Sequence, residues 1–189
     1  MSVERRWLGV VASLVMAVMV GAEAETQPGG DIGGGFAPAE DHPVAAELIA
    51  EHASVQPGGQ TRVGVQFEIE EGWHIYAEEP GDAGLPTTIQ WTAPRGVLVG
   101  PLVWPRPEQF VDPGDIKTSG YSGVVTASSG VQLPASQFEG EAILLGAHVK
   151  WLACQEICIP GSADLSLTLP VSGNEQAFST HAQLFEHTD

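Results

Sequence analysis

Apolar and polar residues alternate along most of this chain. Val63, Val65, Phe67 and Ile69 are interleaved with Gly64, Gln66, Glu68 and Glu70, the period of a strand with one face buried. Leu165, Leu167 and Leu169 alternate with Ser166 and Thr168 in the same way, and Ile143, Leu145, Ala147, Val149 and Trp151 share one strand face. Weaker strand signals lie at Val44–Val55, Thr87–Trp91, Val97–Val103 and Val124–Leu133. Turn chemistry separates them at Pro57-Gly-Gly59, Glu71-Gly72, Pro80-Gly-Asp82, Pro113-Gly114 and Pro160-Gly161. Short strands punctuated this way predict an all-β protein, an immunoglobulin-like antiparallel sandwich. Residues 174–189 form a tail, with a short C-terminal helix expected over Asn174–Glu186, Phe178, Ala182 and Phe185 on one side.

The start of the chain breaks the pattern. Arg5 and Arg6 precede an apolar run from Trp7 to Val20, and Ala22-Glu-Ala24 follows as a small-x-small site. As a helix the run reaches roughly 21 Å, short of a hydrocarbon core of about 30 Å. Residues 1–24 therefore read as a signal peptide cleaved after Ala24, which implies export. Residues 25–41 are rich in glycine and proline and read as a flexible leader. The folded domain is expected over residues 42–173, a length that can bury a real core.

Charge narrows the partners. The net charge is −17, and removing residues 1–24 with Arg5, Arg6, Glu4 and Glu23 leaves it unchanged. Nucleic acid is disfavoured, because phosphate binding needs a basic footprint. Docking on anionic lipid is disfavoured for the same reason.

The chemistry concentrates in Trp151-Leu-Ala-Cys154-Gln-Glu-Ile-Cys158-Ile-Pro-Gly161. Exported cysteines meet an oxidising compartment, where pairing is the default. Four residues of continuous strand span roughly 13 Å, whereas a disulfide needs Cα atoms within about 7 Å. The strand ending near Trp151 is thus expected to break, through a turn or one helical turn that Pro160-Gly161 terminates. A bridge over so short a loop removes little entropy from the unfolded chain, which favours a redox pair over a staple. A structural bridge stays open as an alternative. So does a Cu(I) or zinc site with His148, although zinc usually takes four convergent ligands. The three methionines, Met1, Met16 and Met19, all fall in the signal, so a methionine-rich copper site is excluded.

The cysteine segment resembles the active-site stretch of the amino-terminal domain of DsbD-type thiol:disulfide interchange proteins, and is most similar to the branch related to ScsB proteins of copper-tolerance systems. Gly72-Trp-His-Ile-Tyr76, Pro80-Gly-Asp-Ala-Gly-Leu-Pro86, Trp104-Pro-Arg-Pro-Glu-Gln-Phe110 and Gly120-Tyr-Ser-Gly123 resemble that family in the expected order. The resemblance implies an immunoglobulin-like fold in the periplasm and protein-disulfide reductase activity without a cofactor or metal. It implies a thioredoxin-like donor, itself reduced through a membrane-embedded domain, and periplasmic oxidoreductase clients. By resemblance, Cys158 exchanges with the partner and Cys154 resolves. Phe110 matches a capping phenylalanine, and His74 and Tyr76 match residues that line the site. Better-known members carry a wider cysteine spacing. They also continue into membrane and thioredoxin-like domains, so the donor is a separate protein or the chain is part of a longer one.

Some expectations come from the residues alone. No Lys or Arg lies between Cys154 and Pro160, whereas Glu156 does. A nearby carboxylate holds a thiol pKa up, so a modest nucleophile is expected unless Glu156 faces away into solvent. His74 and Tyr76 fall on one side of a strand, with Trp73 and Ile75 toward the core. His74 is then a surface histidine or a local base, Phe110 a cap or a core residue, and Trp104 and Trp151 are packing residues. Two further readings compete with the exchange module. One is a non-catalytic periplasmic binding or copper-handling sandwich with a structural disulfide. The other is a secreted adhesion-type sandwich.

Overall fold

The computed structural model describes residues 42–112, 114–135, 142–173 and 176–186. The expected signal peptide and leader lie outside the described residues. Among those described, the strands in chain order are β1 Val44–Ala50, β2 Gln60–Ile69, β3 His74–Gly81, β4 Thr88–Thr92 and β5 Leu98–Val103. They continue as β6 Glu108–Asp112, β7 Ile116–Tyr121, β8 Val124–Gln132, β9 Ala142–Cys154 and β10 Cys158–Pro170. They form two antiparallel sheets, one ordered β1-β2-β8-β5 and the other β10-β9-β3-β7-β6. β4 also pairs with β9, so β3 and β4 follow one another along the same edge of that strand. No described helix is long and apolar enough to cross a membrane.

The alternating faces meet as the pattern predicts. Val63, Val65, Phe67 and Ile69 of β2 and Ile143, Leu145, Ala147, Val149 and Trp151 of β9 are buried in one core with Leu165, Leu167 and Leu169 of β10. Trp151 meets Phe67 edge-on with ring centroids 5.9 Å apart, and Trp104 stacks on Phe67 at 5.9 Å and on Tyr121 at 5.0 Å. Both tryptophans pack in or against this core, as expected. Such aromatic pairs add roughly 0.5–1.5 kcal/mol each beyond the area they bury.

Three expectations need correction. Strands β6 and β7 were not anticipated, because Glu-Gln-Phe-Val-Asp and Ile-Lys-Thr-Ser-Gly-Tyr carry no clean alternation. The C-terminal helix reduces to one 3-10 turn, Ala182–Phe185. The preceding residues run along the end of β1 instead: Ala53 donates to the Ala177 carbonyl at 2.9 Å and Ser179 donates to that of Glu51 at 2.8 Å. Phe178 is exposed and stacks on His52, while Phe185 is fully buried and reaches β2 at Gly64. Finally, Pro160 and Gly161 terminate nothing. They lie within β10, opposite Leu152 and Trp151. β10 is an edge strand, where a missing N–H is tolerated.

Candidate functional site

The cysteines sit at the tip of the β9–β10 hairpin. Cys154 is the last residue of β9, Cys158 the first of β10, and the two are direct cross-strand partners. Their Cα atoms are 4.2 Å apart and their sulfurs are bonded. The break expected after Trp151 is a chain reversal rather than a helical turn. The ladder continues through Cys154, and Gln155, Glu156 and Ile157 make the bend, with the Gln155 N–H donating to the Ile157 carbonyl at 3.0 Å. An antiparallel pair brings opposed Cα atoms to about 4.5–5.5 Å, so reversal alone meets the distance requirement.

The two sulfur-bearing residues differ in environment. Cys154 is 2% exposed, whereas Cys158 is exposed at the tip beside Ile157, itself 65% exposed. Parity explains where Cys154 is buried. Odd-numbered residues of β9 from Ile143 to Ala153 face the core, so Cys154 points to the other side of the sheet. Its burial is in a second, smaller layer outside the sandwich.

That outer layer contains three of the four other residues singled out for the site, His74, Tyr76 and Phe110. His74 begins β3 directly opposite Cys154, and Tyr76 follows two residues later on the same side. Phe110 on β6 stacks on His74 with ring centroids 4.5 Å apart and planes 13° from parallel. His74 meets Tyr76 edge-on at 5.1 Å. His74 is 5% exposed and Tyr76 is 3% exposed, so His74 is not the surface histidine considered above. Ile75 faces the core as expected, while Trp73 precedes the strand and is partly buried against the core.

Glycines allow close approach at this layer. Gly120 on β7 lies opposite Tyr76, and a Cβ there would strike the Ile75 carbonyl oxygen. Gly84, at φ +98°, sits against the Tyr76 ring where a Cβ would collide with it. The segment after β3 therefore folds over Tyr76, and the Thr87 N–H donates to the Tyr76 carbonyl at 3.2 Å. Neither Gly84 nor Gly120 was recognised as part of the site. Two glycines within the family-like segments were the available signal.

Other expected participants stand apart. Glu156 is exposed on the bend. His148 lies six residues back along β9, roughly 20 Å by strand rise, so it does not converge with the cysteines. Its Nδ1 is 2.6 Å from Asp164 Oδ1 on β10. Among the described residues no group of three or more His, Cys, Asp or Glu side chains is placed to hold a metal. On the core side, burial raises the Tyr121 hydroxyl pKa to about 12, with Glu78 adding to the effect. That hydroxyl donates to the Pro105 carbonyl at 3.2 Å.

Comparison with known proteins places the fold and the family. The family model described as "Thiol:disulfide interchange protein DsbD, N-terminal" matches residues 42–170. The N-terminal periplasmic domain of ScsB from Proteus mirabilis is 21% identical with a TM-score of 0.56. The alignment covers 82% of this chain but 58% of that one. At that identity the likeness speaks to the fold alone. The N-terminal domain of DsbD from Neisseria meningitidis, in the reduced form, is 19% identical over 70% of this chain and 90% of its own, with a TM-score of 0.34. No curated protein matches the chain. With well over half of its length matched, the chain belongs to the DsbD N-terminal family of thiol:disulfide interchange proteins.

Proposed function

We propose that this domain is a periplasmic thiol:disulfide exchange module that passes electron pairs to exported proteins through Cys154 and Cys158. In the dithiol form the Cys158 thiolate attacks a client disulfide. A mixed disulfide forms and the client's other sulfur leaves as thiolate. Cys154 then attacks the Cys158 sulfur, closing the internal bridge and releasing the second client thiolate. Two electrons have moved to the client, and the domain is oxidised. A thioredoxin-like donor, itself fed through the membrane, runs the same steps backwards. The signal-like residues 1–24 and the periplasmic ScsB relative support the compartment.

The observation that carries this reading is the unequal burial of two bonded sulfurs in a member of this family. An exposed Cys158 is open to a second protein's sulfur, whereas Cys154 is sheltered until the bridge opens. Phe110 acts as the cap on the sheltered side. Ile157, beside Cys158, supplies an apolar contact for the partner.

Two measurements test the proposal. A Cys154→Ser variant should accumulate mixed disulfides through Cys158 in periplasmic extracts. The pair should titrate at about −200 mV or above, since structural bridges lie below about −300 mV. A potential in the structural range, with no adduct at Cys158, refutes the exchange reading.

A further inference from the structure

We infer that His74 is the proton acceptor and donor for Cys154, and not for Cys158. This deepens the exchange reading and rests on it. The β3–β9 register sets His74 directly opposite Cys154, and the shared face puts both side chains in the outer layer. Directly opposed residues hold their Cβ atoms about 4.5–5.5 Å apart. Cys158 lies one strand further away, on the far side of β9.

The chemistry creates a need at this spot. When a partner thiolate attacks the Cys158 sulfur, the bond to Cys154 breaks and Cys154 keeps the electron pair. The resulting thiolate forms at a residue that is 2% exposed. A buried charge without compensation is strongly disfavoured. The only lysine or arginine of β9 and β10 is Lys150, which is exposed and about 13 Å away by strand rise, and His148 lies further back beside Asp164. Histidine is the side chain suited to exchanging a proton near neutral pH. In the opposite direction Cys154 must lose its proton before it attacks Cys158, and the same ring accepts it. The proton then leaves with the released client thiolate or to solvent.

The surroundings hold the ring in place and contribute little competing charge. Phe110 of β6 stacks on one face and Tyr76 of β3 meets the edge. β7 presents the uncharged Ile116, Thr118 and Gly120 on this side, and Lys117 and Arg106, the latter before β6, are exposed. The carboxylates of the neighbouring elements are Glu70 and Glu71 before β3, Glu78 and Glu79 within it, Asp82 after it, Glu108 on β6 and Glu156 on the bend. All are exposed.

The test separates the two sulfur steps. The reduced whole chain is mixed with glutathione disulfide, quenched with acid at intervals and weighed by mass spectrometry. Attack by Cys158 appears as a glutathione adduct, and resolution by Cys154 as its conversion to the internal disulfide. His74→Gln should leave adduct formation within about twofold and slow resolution by about tenfold or more at pH 7. It should also flatten the rise of the resolution rate between pH 5 and 8. His74→Phe keeps a ring for Phe110 to stack on and should show the same loss. Parent-like resolution in His74→Phe, with the parent's pH profile, overturns the inference and leaves His74 a packing residue. If the reduced parent chain gives neither a glutathione adduct nor the internal disulfide, the exchange reading falls and this inference falls with it.

Discussion

The unequal burial of the two cysteines predicts unequal reactivity of a calculable size. Cys158→Ser leaves Cys154 alone in the outer layer, and Cys154→Ser leaves Cys158 alone at the exposed bend. A reagent reaches Cys154 only after the layer opens. Opening separates Phe110 from His74, now stacked at 4.5 Å, which costs about 0.5–1.5 kcal/mol. Re-wetting part of a half-buried phenyl ring adds about 1 kcal/mol. A local opening cost of about 2 kcal/mol corresponds to roughly 30-fold protection. The assay is alkylation by iodoacetamide, followed by mass spectrometry across pH. Rates are normalised to each thiol's own titration curve, so that accessibility is compared rather than thiolate fraction. Cys154 should react about 30-fold more slowly than Cys158, and Phe110→Ala in the Cys158→Ser background should remove most of that gap. Rates within threefold of each other, or protection that survives Phe110→Ala, would show that the aromatic layer does not shelter Cys154.

Reduction should leave the sandwich folded. The bridge closes a loop of only a few residues, so on the chain-entropy model it contributes about 2 kcal/mol. Scanning calorimetry should record a fall of about 5–10 °C in Tm on reduction; unfolding on reduction would make the bond a structural requirement. Arg62→Ala removes a two-point contact with Glu51, at 2.9 and 3.1 Å, and a 2.7 Å bond to the Phe185 carbonyl. Urea unfolding should show a loss of about 2–3 kcal/mol. The Arg62 hydrogen bond holds the Glu51 carboxyl below its usual range, so this stabilisation is full above that range and is lost as pH falls through the lowered value. The variant should lack that acid-side loss. Tyr121 has the opposite sign. With its pKa raised to about 12, its contribution is full below about pH 10 and is lost as pH climbs toward 12. At up to about 2–3 kcal/mol, that alkaline decline should be absent from Tyr121→Phe in urea titrations at pH 9 and 11.5.

The legibility of the sequence followed the number of faces each strand buries. β2, β9 and β10 present one side to the core and the other largely to solvent or polar neighbours, so period two marks them plainly. β3 begins with four consecutive buried residues, His74 to Ala77, because the outer layer covers its second side. Alternation vanishes there, and equating the outward side with solvent makes His74 a surface residue. β6 and β7 supply the edge of that layer, where Phe110 stacks on His74 and Gly120 lets β7 approach the β3 backbone. The cysteine hairpin was half legible. Spacing alone allows a helical turn or a reversal, yet the alternating runs on both sides of the segment favour a reversal. Phe110 could be placed by family likeness, but nothing in its own neighbourhood says that its partner is His74.

The hairpin also explains how a bond can open and close without disturbing the domain. Thirteen residues of β9 pair with thirteen of β10, and the inward side of each is held in the core. The sulfurs project from the opposite side, so their bond adds to a ladder that already stands. Neither cysteine belongs to the core cluster, so the fold should tolerate either oxidation state at small cost. The same placement gives the reaction a direction. An attacking sulfur must approach along the S–S axis from the far side of the sulfur that it strikes. Cys158 is exposed to such an approach, while Cys154 is buried in the outer layer. On the proposed exchange reading, a productive encounter links the partner to Cys158 and sends the electron pair to Cys154. The shelter that denies Cys154 to a stranger also makes it the sulfur that needs a proton partner close by. On the proposed reading, specificity and proton transfer are two consequences of one buried layer.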